Sequence, residues 1–223
     1  MKAYQIKITL LETNPVIWRR VIMPADVTFN RLHDIIQNTT NFQSGYPSDH
    51  CHLFEFDLRQ DNLVVTNDLE TYEENKFYKK QYKKAAPGRE EDPFGVIANH
   101  LKMTIRQPRI KLDKYIEKFG QFIYTYDFGD NWQFEILLEE VVEDYHYGYP
   151  TLISGQGTAP PEDVGGVERF NRFLMIYHDP AHEGHREVRE WAESQGYREY
   201  DEEWINRRLK PLKYKKTEWD KLQ

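Results

Sequence analysis

The residues with chemistry to offer fall in two acidic bends. Tyr126-Asp127-Phe128-Gly129-Asp130-Asn131-Trp132 puts two carboxylates at the tip of an expected hairpin, and Pro160-Pro161-Glu162-Asp163-Val164-Gly165-Gly166 puts two more in a proline-stiffened loop. Oxygen donors of this kind suit a hard divalent cation such as magnesium or manganese, which would activate water for hydrolysis. The same residue types are what tight turns select, because Asp accepts from backbone amides and Gly takes a positive φ. Two readings therefore stand side by side. In one, Asp127, Asp130, Glu162 and Asp163 converge as the metal site of a hydrolase or nuclease. In the other, which leads, the bends are braces, Arg19 or Arg20 pairs with their acids as a buried bridge, and no cofactor is needed.

The other polar clusters are weaker. His178, His182 and His185 are separated by Pro180, so the first two cannot share a regular helix, and they read as a solvated helix start. His50 and His52 flank Cys51 on one strand face, compatible with a metal or with a plain edge position. Cys51 and His52 would point to opposite faces, which argues against a thiol–imidazole pair. Lys76, Lys79, Lys80, Lys83 and Lys84 fall on one helical face. Arg207-Arg208-Leu209-Lys210 runs on to Lys213, Lys215 and Lys216. Such patches can neutralise phosphates without reading sequence.

Composition bounds what these groups can serve. The chain has 223 residues and a formal net charge of -7, so its overall field repels nucleic acid and any such contact must be local. A 14% aromatic share argues against disorder, and one cysteine excludes a disulfide framework or a Cys-rich zinc site. No apolar run approaches the ~20 residues of a membrane span, and Met1-Lys2-Ala3-Tyr4-Gln5-Ile6 is no signal-peptide core. The expectation is a cytoplasmic protein without membrane contact.

The elements that must position the chemistry are legible from periodicity. Tyr4–Leu10 and Val16–Ile22 alternate as strands, and Thr28 caps a helix with apolar Phe29, Leu32, Ile35 and Ile36. Leu53–Leu58, Leu63–Val65, Phe122–Tyr126 and Trp132–Leu138 read as further strands. Leu112–Phe119 reads as a short helix, Tyr147–Gly166 as a Pro/Gly-rich connection, and Val167–Tyr177, Glu183–Ser194 and Asp201–Leu209 as closing helices. The pattern predicts one α+β domain over 1–223, with a mixed, mostly antiparallel sheet, an N-terminal hairpin-helix unit, C-terminal helices and a lysine-rich insertion at 69–100.

In that order, Pro15-Val16-Ile17-Trp18-Arg19-Arg20, His52-Leu53-Phe54-Glu55-Phe56, the two acidic bends, His178-Asp179-Pro180-Ala181-His182 and Ile205-Asn206-Arg207-Arg208-Leu209 resemble the plasmid pRiA open-reading-frame-three-like family. The likeness covers most of the chain apart from 69–100. It implies a single α+β domain associated with plasmids and mobile elements, with no established activity, substrate or cofactor. A resolvase label carried by some members has no counterpart here, since the serine-nucleophile context and basic reading helix are missing. Members commonly have His where this chain has Phe54 and Phe134, and often Cys in place of Ala159. Phenyl rings bind no metal but fill a similar volume.

The functional expectation is a non-catalytic binding or interaction module of a mobile-element-associated family, engaging a protein partner or nucleic acid. Its candidate contacts are Arg19, Arg20, His52, Glu55, Trp132, Lys76, Lys79, Lys80 and Lys83. The alternative is the divalent-metal hydrolase or nuclease built on the acidic bends.

Overall fold

The computed structural model describes residues 1–45, 52–84, 98 and 101–212, with the side chains of 82–84 left out. Period-two burial decides the architecture. In β1 (Ala3–Leu10) and β2 (Ile17–Pro24) alternate side chains are buried, and the two pair antiparallel from Ala3 opposite Pro24 to Leu10 opposite Ile17. The sheet is completed by β3 (Phe54–Leu58), β4 (Leu63–Thr66), β5 (Thr104–Arg106), β6 (Gln121–Tyr126), β7 (Trp132–Val142) and β8 (Thr151–Gln156). Its order is β5-β4-β3-β6-β7-β1-β2-β8, and every neighbouring pair is antiparallel except β4–β5. The mixed, mostly antiparallel α+β sheet is therefore present.

The inner face is covered by helices. α1 (Phe29–Asn38) begins where Thr28 Oγ1 accepts from the Arg31 amide at 3.2 Å. Its Phe29 ring packs 5.0 Å from Phe56 and 6.0 Å from Phe122. α2 (Leu69–Lys84) follows β4, and α3 (Asp113–Phe119) stops at Gly120, which takes φ +69° as a helix end demands. α4 (Gly166–Tyr177), α5 (His185–Ser194) and α6 (Glu202–Leu209) close the chain. The polar side of α1 is also buried, including His33, Asp34, Gln37 and Asn38: Arg208 of α6 reaches back to Asn38, while His33 lies against Phe54 and Tyr124 of the sheet.

Strand β8 lies inside the stretch read from sequence as a Pro/Gly-rich connection. Ser154, Gly155 and Gln156 carry no apolar alternation, because this edge strand makes room for others: a Cβ on Gly155 would sit 2.9 Å from Tyr200 Oη and 3.0 Å from Arg19 Cδ.

Two expectations about single residues are overturned here. Trp132 is fully buried, packed 5.6 Å from the Phe42 ring and 6.3 Å from Phe170, so it offers no surface to a partner. Arg19 and Arg20 do not pair with the acidic bends, and strand alternation sends them to opposite faces. Arg20, outward, pairs with Glu139 at 2.5 Å beside the Trp18 ring. Arg19, inward and 3% exposed, donates to the carbonyls of Thr39, Trp18, Gln156 and Gly157 at 2.8–2.9 Å.

Candidate functional site

The β6–β7 hairpin presents the first bend. Asp127, at φ +51°, accepts from the Gly129 amide through Oδ1 at 3.0 Å, and its carbonyl accepts from Asn131 N at 2.6 Å. Asp tolerates this left-handed conformation better than most residues. Asp130 turns toward the second bend, where its Oδ2 accepts from the Gly165 amide at 2.9 Å. Gly166, at φ +85°, lies so close that a Cβ there would be 3.1 Å from the Asp130 carbonyl oxygen. The paired glycines thus let one bend touch the other, and the two acidic turns meet.

Between them stands His52. Its Nδ1 is 3.4 Å from Asp127 Oδ2 and its Nε2 is 3.9 Å from Glu162 Oε1. The chain around it is tied down, since the His52 amide donates to Ser44 Oγ at 3.1 Å and its carbonyl accepts from Asn67 Nδ2 at 2.9 Å. Glu162 is 6% exposed. It accepts from the Gln43 amide at 2.7 Å and from the Tyr126 hydroxyl at 3.1 and 3.2 Å. Burial pushes its carboxyl above the usual range, and the bonds from Gln43, Tyr126 and the nearby His52 pull it partly back. Asp163, exposed and at φ +56°, completes the group.

One ligand atom each from His52, Glu162 and Asp163 lie within 4.8 Å of one another, the sole such His/Cys/Asp/Glu trio among the described residues. Two donors held ~2.1 Å from one ion are themselves about 3–4 Å apart, so the His52–Glu162 spacing already fits. With Asp127 on Nδ1 and Glu162 on the Nε2 side, the imidazole has the carboxylate–imidazole–metal relation of many protein metal sites. Among the described residues no lysine or arginine forms an ion pair with Asp127, Glu162 or Asp163; the ion contacts there run to His52. Asp130 is the exception in the expected quartet, because its carboxylate braces the Gly165 amide.

Residues missing from the sequence reading support this arrangement from behind. The Tyr126 hydroxyl lies 2.6 Å from Ser44 Oγ, linking Glu162 to the segment after α1. Tyr126 had a signal, being an inward position of β6 whose buried hydroxyl needs a partner. Gln43 and Ser44 had none, since they sit on irregular chain positioned by Asn41, whose Nδ2 donates to the Ala159 carbonyl at 2.7 Å.

The remaining candidates lie elsewhere. Glu55 pairs with Arg59 at 3.2 Å, Lys76 with Glu73 at 3.1 Å, and Lys79 Nζ donates to Thr104 Oγ1 at 3.1 Å. Lys80 is exposed. The side chains of Lys83 and Lys84 fall outside the described residues, as do His50, Cys51, Lys213, Lys215 and Lys216. Arg208, read as part of a basic tail, instead reaches into α1, donating to Asn38 Oδ1 and the Thr40 carbonyl at 3.1 Å each. His178, His182 and His185 form no cluster: His182 accepts from the Gly184 amide and His185 contacts the Ile176 carbonyl. Phe54 stacks 4.0 Å from the His33 ring, and Phe134 packs 5.7 Å from Tyr124. With buried Ala159, these positions are core packing in this chain.

Among the described residues no helix is long and apolar enough to cross a membrane. The chain is similar to the uncharacterised protein y4hQ of Sinorhizobium fredii, at 29% identity over 195 residues, covering 86% of this chain and 82% of that one. Its fold is similar to the crystal structure of MM3350, a protein of unknown function from Methanosarcina mazei Go1. The TM-score is 0.63 and the identity 25%, over 93% of this chain and 96% of the other. A family model described as plasmid pRiA4b ORF-3-like protein matches residues 2–209, and with the motifs and topology above it makes this chain a member of the plasmid pRiA4b ORF-3-like family.

Proposed function

We propose that the protein binds a divalent cation through His52, Glu162 and Asp163, with Asp127 orienting the imidazole, and that a water on this cation serves hydrolysis. One observation supports the reading above all: two bends far apart in the chain converge on one imidazole, with no arginine or lysine ion pair among the described residues to offset their charge. Carboxylates gathered this way repel one another, and a cation relieves that repulsion. Three protein donors leave coordination positions for water, as hydrolytic metal sites do and closed structural sites do not. An imidazole beside carboxylates favours manganese or zinc over magnesium. This moves the balance from the purely non-catalytic module toward the metal-dependent alternative, while Asp130 keeps the role of a brace.

The test is a thermal titration. At a concentration about a hundred times Kd, manganese or zinc should add ~2.7 kcal/mol, a Tm rise of about 5–10 °C for a chain of this size. His52→Ala and Glu162→Gln should each remove the rise. Turnover of a simple phosphodiester by the manganese-loaded protein, absent from His52→Ala, checks the hydrolytic half. No rise with manganese, zinc or magnesium would overturn the proposal.

Asp130→Ala behaves differently. It should lower the metal-free Tm through the lost bond to the half-buried Gly165 amide, about 1 kcal/mol, yet leave the metal increment intact. Equal loss of the increment in Asp130→Ala and Glu162→Gln would make Asp130 a ligand instead.

A further inference from the structure

The lysine face of α2 acquires a second wall in three dimensions. Between this helix and β5, at the edge of the sheet, runs a groove of about 360 Å³ lined by Tyr72, Lys76, Lys79, Lys80, Thr104 and Arg106. Arg106 comes from the strand and lies beyond the helical stripe that the lysine spacing predicts, so cations face the trough from both sides. Among the described residues no acidic side chain lines it. Lys76 is shared with Glu73 and lies 5.5 Å from the Tyr72 ring centre, and Lys79 is tethered to Thr104. Lys80 and Arg106 are exposed and form no ion pair among the described residues. This is a concentrated positive site on a protein whose net charge is -7.

We propose that the groove holds the sugar–phosphate backbone of a single-stranded nucleic acid. A pocket of this size accepts a small ligand or a nucleotide or two of extended strand, and the bulk of a duplex would not enter between helix and strand. The tyrosine ring offers a face on which a base can stack, which suits unpaired bases and gives no preference among them. The cations neutralise phosphates, so the contact is insensitive to sequence and sensitive to salt. Nothing in this assignment depends on the cation at His52.

Fluorescence anisotropy with a short labelled oligothymidylate and a mixed-sequence strand tests it. With three or four phosphates neutralised, affinity should fall about 20- to 50-fold between about 50 and about 200 mM salt. Lys80→Glu with Arg106→Glu should weaken binding at least ~10-fold, while the circular dichroism spectrum and the manganese-induced Tm rise stay unchanged. Glu162→Gln should bind the strand as the parent does, which separates failure here from failure of the metal reading. Absence of binding at low salt, unchanged binding by the double reversal, tighter binding of duplex, or equal competition by polyglutamate would each overturn the assignment.

Discussion

Replacing Arg19 by methionine is expected to cost about 3–5 kcal/mol, lowering Tm by roughly 6–20 °C. The guanidinium sits 4.5 Å from the Tyr200 ring centre and donates to four backbone carbonyls, with no carboxylate among its partners. Burial pulls its pKa down to about 10, so it still carries its charge at neutral pH. The negative end of α1 offsets that charge: Thr39, just past the last turn, is one acceptor, and Arg208 from α6 grips the Thr40 carbonyl nearby. Methionine fills the space but leaves the carbonyls without donors, at about 1–3 kcal/mol each when buried, partly offset by the regained desolvation. Arg19→Lys should be nearly as damaging, because a single ammonium cannot fork to acceptors on three segments. The loss should reach the candidate site as well, since the chain held by Arg19 continues to Gln43 and Ser44, which steady Glu162 and Tyr126. Urea titrations giving a change below about 1 kcal/mol for Arg19→Met would sink the argument.

Acidification provides the second large effect. The protein should lose about 3 kcal/mol of stability between pH ~6.5 and pH ~4 through His33 alone. The ring lies 2.7 Å from the Tyr124 hydroxyl through Nδ1 and 3.1 Å from the Ser44 carbonyl through Nε2, and it stacks on Phe54. The neutral tautomer bearing its proton on Nε2 satisfies both contacts, and a second proton at Nδ1 would displace the tyrosine's donation. Burial lowers the pKa to about 4, against the pull of the Ser44 carbonyl. The folded value is below the unfolded one, so the unfolded chain takes the proton first. The contribution is therefore whole above pH ~6.5 and lost as pH falls toward ~4, two and a half pH units at about 1.4 kcal/mol each. Glu162 works in the opposite sense, its raised pKa favouring the folded state at acid pH. His33→Gln should flatten the pH dependence of unfolding free energy across that window, whatever it does to stability at pH 7. An identical slope in parent and variant, or a histidine signal titrating near 6.5 by NMR, would refute the assignment.

Much of this could be read from residue spacing. The apolar positions of α1 and its Thr28 cap, the Asp127–Asn131 turn, the Gly120 stop and the three closing helices follow from patterns within a few residues, and each element is in place. Strand β5 has three residues and β8 runs through Ser154, Gly155 and Gln156, so neither shows an alternation that could announce it. The side chains at the candidate centre were legible as types, but their division of labour was not. Asp130 and Asp163 look equivalent on paper. In space Gly165 claims the first and leaves the second beside an imidazole. The adjacent arginines likewise look like one basic pair, and the pleat of β2 sends one to the helix end and the other to solvent.

By itself, then, the order of residues determined the secondary elements other than β5 and β8, the mixed character of the sheet and the family, because periodicity and turn chemistry act over short stretches of chain. Only the tertiary structure decided which acids face His52, that Arg106 walls the lysine groove, and that Trp132 and Arg19 are core. Those outcomes depend on strand order, on the close approach of Gly166 to Asp130 and on the reach of α6 to α1, which bring together segments that share no local pattern.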